Sequence, residues 1–354
     1  MWQSAGITAG LVAGLIGGFA SPLAAQSDPA PPMYGPWGYD TAGADHSARA
    51  GDDFFRYANG GWIDRTSIPA DKPSYSLRWV MSDTTEARLH RLMEAAAAGA
   101  SPHPADLEGK VGAFYKAFMD ERRIDALGIK PIAANLGRVR RARSRETLAA
   151  LMGHANSDFE GTLFGISTEV DLKDPKHYAV YLNQGGLGLP DRDYYLKPAF
   201  SAQKTKYEAY VGQLLELVAW PDAAARAREV VAFETQLADA SWTKEQQRDP
   251  VATYNPMTPA ELAGAAPGFA WRAFLDEAGL AKVSRVIVAE KTAFPKLAAI
   301  YADTPLETLR AWHAFHIVDN AAPFLSKPVT DAYFELRGRT LSGQQELPAR
   351  WKRA

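Results

Sequence analysis

Cysteine is absent from all 354 residues. That absence excludes disulfides, thiolate nucleophiles and cysteine-ligated metal sites, so any metal would need histidine and carboxylates. An excess of one charge is missing too: 39 Lys and Arg stand against 41 Asp and Glu. No net field gathers nucleic acid or an anionic membrane at the surface, and neither is expected as a partner. The chain has no repeat of solenoid period, no Walker Lys-Ser/Thr pair and no G-x-S-x-G turn for a serine nucleophile. The seven histidines, His46, His90, His103, His154, His177, His313 and His316, include no i, i+4 pair. A helical zinc site of the His-Glu-x-x-His type is therefore lacking.

One apolar run stands at the start, AGITAGLVAGLIGGFA over residues 5–20, followed by small residues. It is short and Gly-rich for a stable membrane span and reads as a signal peptide over residues 1–25, cut after Ala25. Export to a bacterial periplasm or the exterior is the expectation. Residues 26–50 are rich in Pro, Gly, Ala and Asp without apolar periodicity, which predicts a flexible lead.

The remainder, in a chain that is 47% hydrophobic, can bury a substantial core. Leu89, Leu92, Met93, Ala96 and Ala97 share one helical face, with Asp83 and Glu86 as a start signal. Val111, Phe114, Tyr115, Phe118 and Met119 repeat the pattern as far as Gly128, a C′ candidate. Ser144 opens a shorter helix, and others are predicted at about 203–219 and 223–241. Thr258-Pro259-Ala260-Glu261 and Thr304-Pro305-Leu306-Glu307 carry the same start code: a Thr cap, Pro in the first turn and Glu reaching back. Strand signals flank the turn-forming LKDPKH, in GTLFGISTEVD and YAVYLN. The fold class is mainly α, a multi-helix domain with a small β-hairpin.

Each candidate for chemistry has a plainer explanation. His313 and His316 are i, i+3 with Asp319 a turn further on, yet Leu309, Trp312 and Ile317 make this a core helix with hydrogen-bonded histidines. The glycines of QGGLGLPD, Gly185, Gly186 and Gly188, lack dinucleotide spacing and run into Pro190, so they serve turns. Asp191 and Asp193 around Arg192 are read as caps or local pairs, not an acid–base couple. Phe54, Phe55, Tyr57 and Trp62, beside Asp52, Asp53, Arg56 and Asn59, suit packing between domains. No catalytic, cofactor-binding or metal-binding residue is assigned.

Four blocks in order, GDDFFRYANGGWI, YAVYLNQGGLGLPDRDYYL, KEQQRDPVATYNPMT and APFLSKPV, resemble the N-terminal region of the neprilysin-like zinc metallopeptidases, family M13. The segment from Gly338 to Gly343 resembles that family's G-x-x-L-S-G stretch. The resemblance spans about residues 50–354. It implies that residues 51–85 pack with a catalytic domain and that 86–354 form a helical lid limiting access to peptides. In the family, zinc is held by a His-Glu-x-x-His helix and a downstream glutamate, and neither motif is present; the chain stops where relatives are about to enter the catalytic half. The implied function is the N-terminal region of a secreted zinc endopeptidase acting on oligopeptides, inactive as this chain alone. Peptide is then a partner only beside a complementary catalytic half, and zinc a cofactor only of the complete enzyme. A non-catalytic peptide-binding or regulatory protein is the alternative, and a degraded gene product a third reading.

Overall fold

The computed structural model describes residues 41–99 and 106–354. The expected signal peptide, the lead up to residue 40 and His103 lie outside them. Two compact units meet in sequence between Ser67 and Ile68.

In the first, the helix Phe54–Arg65 starts at Asp53, whose side chain accepts from Arg56 N at 2.8 Å. An N-cap carboxylate satisfies an orphan donor and suits the positive end of the helix. Residues 41–50, expected within a flexible lead, carry a 3-10 turn at Thr41–Gly43, and Asp45 N donates to Tyr57 O at 2.8 Å. Arg56 ties this unit together by reaching Asp45 at 2.8 Å and Asp64 at 2.6 Å.

The second unit is mostly helical. The first helix is longer than its pattern suggested: Leu77–Ala98 begins before Asp83 and runs through residue 85. The pattern that followed divides at Asp120 into Leu107–Met119 and Glu121–Leu127, because the Asp120 side chain caps the second helix by accepting from Arg123 N. Gly128 ends it at φ 57°, where Gly pays no Cβ penalty. Ser144 caps Arg145–Met152, and Ser201–Leu217 and Ala223–Ala240 lie where periodicity placed them. Thr258 makes the full capping box with Glu261.

The second copy of that start code behaves differently. Thr304 Oγ1 donates to Ile300 O at 2.6 Å and thus closes the preceding helix, Phe294–Asp303. Glu307 pairs with Arg310, and the helix Leu306–Ala321 starts at Pro305 without a side-chain cap. Only Thr304 and Pro305 separate the two helices, and Thr304 serves the one that ends.

The hairpin is present, but it is half of a larger sheet. Strand β1 (Phe164–Asp171) pairs antiparallel with β2 (Asp174–Gln184), from Phe164 opposite Gln184 to Val170 opposite Tyr178. Most of the expected turn belongs to β2, leaving Leu172 and Lys173 as the connection. Strands β3 (Asn255–Met257) and β4 (Val286–Val288) complete a sheet of order β1-β2-β4-β3, with β4 parallel to β2 and antiparallel to β3. Three-residue strands are too short for alternation to reveal.

The core surrounds Leu306–Ala321. Residues from Ala311 to Asp319 on it are all buried, and a helix covered on every face is an interior one. Ala133–Arg141, Ser201–Leu217 and Ala223–Ala240 pack on it. Phe164, Phe269, Trp271 and Phe294 form an aromatic cluster with ring centroids 4.4 to 5.8 Å apart, favourable edge and offset geometry.

Candidate functional site

Three polar side chains interrupt the buried helix at a spacing of three: His313, His316 and Asp319. Burying them unpaired would be costly, and a charged partner from another element meets each. His313 Nε2 lies 2.6 Å from Glu160 Oε2, off the line of a straight N–H···O bond, and His313 Nδ1 has no hydrogen-bond partner among the described residues. The other Glu160 oxygen accepts from Arg138 at 2.9 Å and Asn135 at 3.2 Å. Burial pushes the Glu160 carboxyl up, but the His313 ring and the Arg138 guanidinium together outweigh it, and the net shift is downward.

His316 Nε2 is 2.9 Å from Glu234 Oε1. The second Glu234 oxygen accepts from Tyr195 and Tyr207 hydroxyls, each at 2.7 Å. Burial, and then the Glu234 charge, drive both phenols well above their ordinary range, so both keep the proton they donate to Glu234. Asp319 accepts from Tyr210 at 2.6 Å and from Arg337.

These groups converge on the glycine-rich segment. Tyr195 Oη accepts from Gly188 N at 3.0 Å and Leu189 N at 2.8 Å while donating to Glu234. Arg337 Nη1 donates to Gly188 O at 2.5 Å. Gly188 is thus held at both its amide and its carbonyl. A Cβ there would stand 1.9 Å from Tyr207 Oη, so no other residue fits. Arg337 is aimed inward by the π-helical turn Glu335–Leu341, which occupies most of the G-x-x-L-S-G stretch; such turns often re-aim functional side chains. At the mouth of the segment, Gln184 bonds both Trp242 N and Trp242 O, and Gln184 N donates to Glu290 at 2.8 Å. Among the described residues Glu290 makes no ion pair, and burial raises its carboxyl.

The cluster can fix a backbone but cannot reach a substrate. His313, Glu160 and Glu234 side chains have no solvent exposure, and each carboxylate already faces a histidine ring and further donors. The remaining histidines are scattered. His90 stacks on Trp351, His154 meets Glu277 at 3.1 Å, His177 meets Asp174 at 2.7 Å, and His46 packs edge-on to Tyr57. Among the described residues no three His, Asp or Glu side chains are grouped to hold a metal ion. The donor set does not fit zinc, because the two rings face different carboxylates, His313 towards Glu160 and His316 towards Glu234, and the set does not gather around one point.

Asp191 accepts from Asp193 N and pairs with Lys244, while Asp193 pairs with Lys197. These are local turn contacts. Phe54 and Phe55 are largely exposed on the first turn of their helix, and Tyr57 is half-buried. What sequence reasoning missed were the acidic partners Glu160 and Glu234 and the cation Arg337. Of these only Glu234 is a lone charge in an apolar stretch, whereas Glu160 follows Asp158 and Arg337 stands between Glu335 and Arg339, where nothing local marks an inward-turned charge.

Comparison with known proteins gives a consistent picture. The profile of Peptidase family M13 matches residues 50–354. Rat endothelin-converting enzyme-like 1 is 27% identical over 314 residues, covering 84% of this chain and 40% of the relative. Human endothelin-converting enzyme 1 is 26% identical over 317 residues, with 85% and 40% coverage. Among solved structures, the Mycobacterium tuberculosis zinc metalloprotease ZMP1 in complex with an inhibitor superimposes with a TM-score of 0.83 at 29% identity, over 89% of this chain and 48% of that one. The chain thus spans about two-fifths of the length of these curated relatives.

Proposed function

The chain belongs to peptidase family M13, of which it is N-terminal region, and from that membership we propose that it supplies the helical cover of a zinc endopeptidase acting on oligopeptides. The observation that carries this reading is the agreement of fold with one half of a zinc metalloprotease chain, combined with a buried polar cluster that stiffens the fold and offers no catalytic group to solvent. Residues 51–85 belong with the catalytic domain, and residues 86–354 roof its cavity and exclude large substrates. Zinc and the water it activates belong to that other half. As this polypeptide alone the protein hydrolyses nothing.

Exposed apolar side chains support a role beside a partner domain. Phe54 and Phe55 lie open in the first unit. In the second, Phe114, Leu127 and Phe324 line a groove of about 570 Å³. Large apolar openings on a soluble chain mark contact surfaces.

The test is reconstitution. Mixed with the His-Glu-x-x-His half of a related peptidase, the chain restores chelator-sensitive cleavage of short peptides, and neither part cleaves alone. Cleavage by the chain by itself would overturn the assignment. The apolar run at residues 5–20 makes export the accompanying proposal. N-terminal sequencing from the native host should find roughly the first 25 residues removed, whereas an intact Met1 in the cytoplasm would refute it.

A further inference from the structure

The sheet order β1-β2-β4-β3 leaves β1 with one paired side and one outer side. Hydrogen bonds on both sides of the hairpin fix which residues of β1 turn outward. Leu182 O accepts from Ala289 N at 2.9 Å and Gln184 N donates to Glu290 at 2.8 Å, so both residues of β2 turn away from β1. Their partners across the hairpin, Ile166 and Phe164, turn to the outer side. There Asn156 Nδ2 donates to Ile166 O at 2.8 Å, while Thr162 Oγ1 donates to Phe164 O at 2.9 Å and accepts from Phe164 N at 3.2 Å. Antiparallel pairs alternate, so Thr168 and Val170 also present their N–H and C=O groups outward, whereas Ser167 and Glu169 turn to β2.

The chain's own side chains therefore close one half of this edge and leave the other half open. Among the described residues nothing bonds the outward groups of Thr168 and Val170, and both residues are exposed. Edges are ordinarily guarded by Lys or Pro, and residues 167–170 include neither. The register shift comes only after Val170, so this stretch keeps a regular pleat. On one face Val170 stands opposite Tyr178, at 48% and 74% exposure, and the two form an apolar shelf. On the other face Glu169 makes no ion pair among the described residues, while the nearby acids Asp171 and Asp174 are taken by Arg285 and His177.

We propose that the outer edge of β1 at residues 167–170 binds an extended peptide as an added antiparallel strand, with a Lys or Arg opposite Glu169 and an apolar residue on either side of it. The site stands on the hairpin alone and needs no catalytic half. Main-chain bonds to Thr168 and Val170 supply affinity, and the shelf and the unpaired carboxylate select side chains. The residue opposite Glu169 occupies a non-hydrogen-bonded pair, where side chains approach most closely and opposite charges attract. For the same reason a second copy of the chain fits poorly. Two β1 strands joined about a twofold axis through Thr168 and Val170 set Glu169 against Glu169, and the next register towards the turn sets Glu169 against Asp171. The register in the other direction needs Ile166, whose carbonyl Asn156 already holds.

Backbone amide NMR of the full 354-residue chain provides the test, with acetyl-Thr-Val-Lys-Val-Thr-amide as the probe at millimolar concentration. The Thr168 and Val170 amide signals should shift, and those of Ser167 and Glu169, which face β2, should shift far less. The same peptide N-methylated at its first valine loses the donor to Val170 O and should bind at least about fivefold more weakly. Glu169→Lys should reverse the preference between the Lys peptide and its analogue with Glu at the centre, each affinity changing by about two- to fivefold. No shift, equal shifts at all four amides, or undiminished binding of the methylated peptide overturns the site. A preference that Glu169→Lys leaves unchanged overturns the choice of a basic peptide. Shifts at Thr168 and Val170 that grow with protein concentration in the absence of peptide would make a second copy the occupant and overturn the proposal.

Discussion

His313 and Glu160 meet with 2.6 Å between Nε2 and Oε2, and neither side chain reaches solvent. Removing one member of such a pair strands the other. Glu160→Ala leaves the buried His313 without its carboxylate and Arg138 with Asp158 alone, and we predict a loss of about 3 to 5 kcal/mol. Chemical denaturation of the purified chain measures it. A loss under 1 kcal/mol would show that the site relaxes or takes up water.

Acid titration should expose the same carboxylate. The folded state holds Glu160 below its ordinary range, so its contribution is present above the unfolded value near pH 4.5 and is lost as pH falls through the folded one. Glu160→Gln should therefore be less stable than wild type at pH 7, with the gap narrowing as the pH is taken below 4.5. A gap that stays constant with pH contradicts the assignment.

Glu290 should do the opposite. Its folded value is raised, so its favourable contribution is complete below the unfolded value and disappears as pH rises through the folded one. Glu290→Gln keeps an acceptor for Gln184 N, and it should gain stability over wild type at pH 8 but not at pH 4. Thermal melts at the two pH values decide this.

Gly188→Ala should cost about 3 kcal/mol or prevent folding, since the added methyl would overlap the Tyr207 hydroxyl. Adding Tyr207→Phe should recover part of the loss, because the nearest clash is with the oxygen. Full additivity of the two changes would show that the overlap is not the cause.

Metal analysis after dialysis should find at most weakly held zinc. His313→Gln and His316→Gln should leave that content unchanged, because among the described residues neither ring stands in a group of three that could hold a metal ion. Stoichiometric zinc lost in either variant would reverse this conclusion.

Expressed without a partner half, the chain should bind a hydrophobic dye and self-associate through Phe54, Phe55 and the Phe114 groove. A sharp monomer by sedimentation that binds no dye would favour an independent protein.

Helices were legible wherever periodicity and caps agreed, as at Ser144 and Thr258. They misled at Thr304, where one side chain could serve either of two helices and only the close spacing in three dimensions chose. The burial of His313 and His316 was readable from Leu309, Trp312 and Ile317 around them. Their partners were not, because Glu160 and Glu234 lie far away in sequence, and nothing local distinguishes a carboxylate turned inward from one in water. Strands β3 and β4 escaped for a related reason: three residues take their conformation from the neighbour they pair with.

The parallel pairing of Val180 to Leu182 with Val286 to Val288 also sets a timetable for synthesis. The hairpin leaves the ribosome about a hundred residues before β4, which at roughly 5–20 residues per second is an interval of about 5 to 20 seconds. Until then the inner edge of β2 has no strand beside it, and a bare edge is a template for pairing between chains. Nascent protein is most open to aggregation in that window, so slower growth temperatures or a holding chaperone should act on yield there, before the helical core has closed.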